Sequence, residues 1–168
     1  MFIFVIVAVS ILLGFLAIML VNRASPPLAA EKDFYREKSQ TVQTLEELSL
    51  PRFEKICLAL LEELGLVINS STSDREWLIE ISAFNPQPIT GGEYLVHCYL
   101  APKGQPVESM RVIALSNTVK AEGASKGIFI TNGYFSEEVA KLFEGPPIEL
   151  INGQRLSKIL QEYRIPLT

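Results

Sequence analysis

The chain opens on an unbroken apolar run: from Met1 to Val21 there is no charged side chain and little polarity beyond Ser10, whereas every Lys, Arg, Asp and Glu lies after it. At ~1.5 Å of rise per residue such a run spans roughly 30 Å as a helix, which matches the hydrocarbon thickness of a bilayer. A helix also satisfies its own backbone polar groups in lipid. A secretory signal peptide would begin with positive charge, carry a shorter apolar core and end at a small-residue cleavage site. Residues 1–22 are therefore expected to form one transmembrane helix, with residues 1–21 in contact with the lipid bilayer. Ser25-Pro26-Pro27 ends it, because two consecutive prolines cannot continue a helix. Residues 23–48 then read as a polar juxtamembrane linker, partly helical, with Phe34, Tyr35, Val42 and Leu45 as scattered apolar points. The alternative for this stretch is a helix that packs on the domain or pairs with a copy of itself.

From Ser49 the period changes. Leu50, Phe53, Cys57, Leu60, Leu61 and Leu64 recur every three to four residues, which predicts a helix capped by Ser49 and stopped by Gly65. A short strand begins at Gly65-Leu66-Val67-Ile68, and the Ser/Thr/Asp cluster Asn69 to Asp74 reads as a turn. Trp77 to Phe84 and Tyr94 to Leu100 are β-rich runs separated by Pro86, Pro88, Gly91 and Gly92, the pattern of an antiparallel hairpin with a long loop. Val107 to Lys120 is amphipathic, with Pro106 suited to a first helical turn. Gly127 to Thr131 is continuously apolar, as in a strand buried on both faces. Asn132-Gly133 turns out of it, Ser136 with Glu137 and Glu138 opens a helix through Phe143, and Gly145-Pro146-Pro147 breaks that helix. Ile148 to Ile151 is a last strand, and Asn152-Gly153 leads into a helix containing Leu156, Ile159 and Leu160. The order α, β, β, β, α, β, α, β, α predicts an α/β domain over residues 49–168, a mixed central sheet flanked by helices.

Charge bears on location and partners. Arg23, Lys32, Arg36 and Lys38 follow the apolar run, so the positive-inside bias places the C-terminal domain in the cytoplasm of a single-pass inner-membrane protein. The formal net charge is −4, all of it outside the apolar run, so a nucleic-acid partner would need a local basic face. Lys120, Lys126 and Arg111 are candidates for one such patch, and Arg155 with Lys158 for another. Cys57 and Cys98 each sit in an apolar run, as buried free thiols do. No C-x-x-C, G-x-x-x-x-G-K-S or G-x-G-x-x-G occurs.

Several segments together are more specific than any alone: Phe53-Glu54 leading to Leu64-Gly65-Leu66-Val67, the hairpin end Tyr94-Leu95-Val96-His97-Cys98-Tyr99, and the helix after Pro106-Val107. Gly127-Ile128-Phe129-Ile130-Thr131 followed by Phe135-Ser136, and the ending Ile148-Glu149-Leu150-Ile151-Asn152-Gly153, complete the series. In this order, over roughly residues 49–162, the chain resembles the Mrr-like type IV restriction endonuclease domain. The resemblance implies a restriction-endonuclease-like sheet, DNA as partner and metal-assisted phosphodiester hydrolysis, with Mg²⁺ as the cofactor if the site is active. It further implies a metal-binding Asp early in the hairpin, a Gln-x-Lys or Glu-x-Lys on the second strand, and often a glutamate from the first helix.

Against that pattern Glu54 matches the helix glutamate, and Glu80 stands about where the metal-binding Asp belongs. Arg75, Glu76 and Trp77 replace the glycines that usually precede it. His97-Cys98-Tyr99 occupies the place of Gln-x-Lys, so the lysine position is Tyr99. Lys103 could reach the site only by a rearranged loop. The candidate site is thus Glu54, Glu80, His97 and Tyr99, with Glu80 the candidate metal ligand and hydrolysis expected to be lost or weakened. Each residue also has an ordinary reading: Glu54 as a solvated helix acid, Glu80 as an outward strand residue, His97 as a polar core residue and Tyr99 as common strand composition. A membrane-anchored protein-interaction module, pairing with another protein or with its own copy, is the competing function.

Overall fold

The computed structural model describes residues 45, 47–74, 77–142 and 148–167, so the expected membrane helix and most of the linker lie outside the described residues. Among those residues no helix is long and apolar enough to cross a membrane. The elements follow in the expected order: α1 (Leu50–Glu63), β1 (Val67–Ser73), β2 (Leu78–Asn85), β3 (Gly92–Tyr99), α2 (Ser109–Glu122), β4 (Lys126–Thr131), α3 (Glu137–Leu142), β5 (Ile148–Ile151) and α4 (Gly153–Glu162). They build a five-stranded sheet of order β1-β2-β3-β4-β5. The first three strands are antiparallel, while β3, β4 and β5 run parallel, joined through α2 and α3 as crossovers.

Alternation along the strands sorts side chains into two layers. Val96 and Cys98 of β3 join Phe53, Cys57, Leu60, Ile79, Ile81, Ile130 and Leu156 under α1 and α4. Leu95 and Tyr99 point the other way and join Val112, Leu115, Phe129 and Val139 under α2 and α3. Both cysteines are buried and free, as expected, and burial together with the neighbouring Cys98 pushes the Cys57 thiol well up. Leu45 is fully buried in the first layer, with Leu48 packed against it, so the packed core reaches back into the end of the linker.

Four local expectations are corrected. The polar cluster at 69–74 is strand rather than turn through Ser73, because backbone pairing with β2 overrides its turn composition and its side chains stay exposed on the sheet edge. Trp77 lies outside β2, at φ 66°, and β2 starts at Leu78. Val107 does not open the helix; it makes a single parallel bridge to Phe135, and α2 starts at Ser109. Ser49 holds the N-cap position of α1 without a side-chain cap bond, the proline in the first turn having no N–H to satisfy.

The loop after β4 ties the parts together. Asn132 is buried, accepts from Ala101 N at 2.7 Å and donates to the carbonyls of Leu45 at 3.3 Å and Ala101 at 3.4 Å. Gly153 N donates to Gly133 O at 2.7 Å, and a Cβ at Gly153 would lie 2.0 Å from Asn132 O, so only glycine lets α4 start against this turn. Replacing Asn132 by Ala leaves the buried Ala101 N–H without its acceptor. Chemical denaturation of the full chain should show a loss of about 2–3 kcal/mol.

Candidate functional site

The register of the hairpin decides which candidate residues meet. Glu80 pairs with His97 and Leu78 with Tyr99, and these side chains share the α2/α3 face of the sheet. Glu80 Oε1 lies 3.4 Å from His97 Nε2. The two groups differ in setting: the Glu80 side chain is 58% exposed and that of His97 only 9%. The His97 ring lies 6.1 Å from the Phe129 ring, which packs edge-on against Phe135 at 5.8 Å. Burial in this aromatic setting lowers the His97 pKa below its ordinary 6.5, and the opposing pull of the Glu80 charge is the smaller effect. At neutral pH the imidazole is uncharged.

Tyr99 is buried at the end of β3, with the Arg111 guanidinium carbon of α2 4.3 Å above its ring centroid. This is cation–π geometry. Charge alone groups Arg111 with Lys120 and Lys126 along the sequence and gives no sign of this contact. The structure separates Arg111 from Lys126: Lys126 extends on the α1/α4 side and pairs with Glu149, to which Arg155 Nη2 also binds at 2.5 Å. Burial would raise the Glu149 carboxyl, but the bonds and charges of Lys126 and Arg155 outweigh it and hold the pKa low. Arg155 also donates to Leu150 O at 3.0 Å, so it is engaged internally rather than paired with Lys158 toward a ligand.

Glu54 does not join the others. Its Oε1 accepts from Ser71 Oγ at 2.7 Å, and Ser71 pairs with Ile81, a member of the α1/α4 layer. Neighbours along a strand point to opposite faces, so the sheet stands between Glu54 and Glu80. Lys103 lies in the loop beyond β3, lining a cleft of about 230 Å³ with Leu48, Trp77, Leu100 and Pro102.

Mg²⁺ requires near-octahedral oxygen coordination, commonly with one or two carboxylates and several waters. Among the described residues no three His, Cys, Asp or Glu side chains come together. Glu80 has the His97 imidazole for a neighbour, with the helix carboxylate behind the sheet. These residues do not fit the Mg²⁺ site that the resemblance implies.

Residues 45–160 match the Mrr_cat family, described as restriction endonuclease. The fold is similar to that of the DNA modification-dependent restriction endonuclease AspBHI, with a TM-score of 0.58 and 15% identity over 77% of this chain and 36% of that one. The MspJI restriction endonuclease, solved in complex with a 27-mer oligonucleotide, aligns with a TM-score of 0.47 and 14% identity over 74% of this chain and 31% of that one. The chain thus spans about a third of the length of each of these proteins. No curated protein matches its sequence.

The lowered His97 pKa has a thermodynamic sign. As pH falls through 6.5 the unfolded chain takes up this proton first, so stability is lost from there down to the folded-state pKa. Thermal melting between about pH 7 and about pH 5 should show a steeper fall for the unaltered chain than for His97→Gln.

Proposed function

The chain belongs to the Mrr_cat restriction endonuclease family, and on that premise we propose that it is a membrane-tethered member that binds DNA while its phosphodiester hydrolysis is lost or weakened. The observation that carries this reading is Tyr99, a buried phenol under a guanidinium at the position where the resemblance expects lysine. Metal-assisted cleavage needs hard oxygen ligands and charge stabilisation as the phosphorane forms. Glu80 beside a neutral His97 supplies neither the full ligand set nor the ammonium. Loss of one electrostatic stabiliser typically costs about 10²–10³ in rate, so the chemistry fails before the binding does. Phosphate contacts alone can still position DNA.

The apolar run at residues 1–21 and the cations after it support tethering, with the domain on the cytoplasmic side. Two observations favour the second reading, a membrane-anchored module that holds a protein partner or its own copy. One is the net charge of −4, and the other is Trp77, 53% exposed beside the apolar cleft of Leu48, Leu100 and Pro102.

The full chain in lipid nanodiscs should bind duplex DNA with an affinity that falls steeply with salt, and Mg²⁺ or Mn²⁺ should produce no strand scission. Scission by the unaltered chain would contradict the loss of hydrolysis. No binding at low salt would leave the protein-interaction reading. In cell fractionation the full chain should stay with membranes through alkaline carbonate extraction, and a chain lacking residues 1–22 should be released.

A further inference from the structure

We propose that Arg111, stacked on Tyr99, grips one backbone phosphate of bound DNA at the corner of the sheet where the resemblance expects the catalytic lysine; this rests on the DNA-binding reading above. A guanidinium carbon 4.3 Å over a ring centroid is in cation–π contact, and a guanidinium has five N–H donors, more than a ring contact uses. Tyr99 is buried at the end of β3, so the ring offers a packed platform for the charge. A preset guanidinium loses less freedom on taking a phosphate than a free surface lysine does.

The state of Arg111's donors is the second observation. Among the described residues no side-chain hydrogen bond or ion pair reaches its guanidinium. Arg155 is engaged by Glu149 and Leu150, Lys126 by Glu149, and Arg52 Nε by Leu167 O at 3.1 Å. Those three cations are occupied within the fold, whereas Arg111 is half-buried and, among the described residues, rests on the Tyr99 ring.

The strand opposite Tyr99 bears on how an anion could approach. The register partner of Tyr99 is the apolar Leu78, so β2 places no carboxylate directly opposite the ring. Glu80 sits two residues further along β2, about 7 Å away at strand spacing, and faces His97. A cation placed where phosphate chemistry is expected converts a cutting position into a holding one.

The test uses the full chain in nanodiscs and a short DNA duplex, with affinity measured across salt concentrations. Arg111→Ala should weaken binding roughly tenfold at low salt, as expected for a charge-assisted bond, and reduce the slope of log affinity against log salt by about 1. Arg111→Lys should keep the slope and lose part of the affinity, because the charge stays while the planar fork is gone. Tyr99→Leu should weaken binding more than Tyr99→Phe does, since the ring face and not the hydroxyl is the platform. A merely structural role for Arg111 would lower the melting temperature and leave the salt slope unchanged. If Arg111→Ala fails to fold, the contrast between Tyr99→Phe and Tyr99→Leu decides. Unchanged affinity and slope in a folded Arg111→Ala overturns this proposal and leaves the DNA-binding reading standing. Absence of DNA binding by the unaltered chain overturns both.

Discussion

The register of β2 against β3 is the constraint on which the site depends. β3 is buried on both faces, so a slip of one residue would drive His97 and Tyr99 into the layer under α1 and expose Val96 and Cys98 to the layer under α2. The parallel pairing of β3 with β4 reinforces it by setting His97 beside Phe129 and Tyr99 beside Thr131. With that register fixed, Glu80, His97, Tyr99 and Arg111 lie on one side of the sheet. Glu54 is on the other, held by Ser71 of the edge strand.

Much of this architecture could be read along the chain. The three-to-four spacing from Leu50 to Leu64 marked α1, and the continuous apolar run at 127–131 marked a strand covered on both faces, as β4 is. Composition misled where pairing rather than side-chain burial makes the element: the serines and threonines of β1 look like a turn because their side chains face water while their backbone joins β2. The site was legible only as a set of positions. Glu80 opposite His97 follows from hairpin register, but which face of the sheet a helix covers is a tertiary fact, so nothing local placed Glu54 behind the sheet. Arg111 on Tyr99 was equally hidden, since it joins the first turn of α2 to the end of β3, two places brought together by the crossover between β3 and β4.

Charge is divided between the two faces in different ways. On the α1/α4 side Lys126, Glu149 and Arg155 neutralise one another and bind β4, β5 and α4 together, an interior use of cations that leaves little for a ligand. On the other side Glu80 reaches solvent, His97 is neutral through burial, and Arg111 rests on an aromatic ring. The turn at Asn132 and Gly133 secures Leu45 and the start of α4 alike.

The central claim is that this hairpin end does not hold a divalent metal. Electron paramagnetic resonance of Mn²⁺ added to the full chain with DNA tests it most directly, comparing the unaltered protein with Glu80→Gln. The account predicts the same weak, unsaturable signal change in both. Stoichiometric Mn²⁺ bound by the unaltered chain and lost in Glu80→Gln would contradict it.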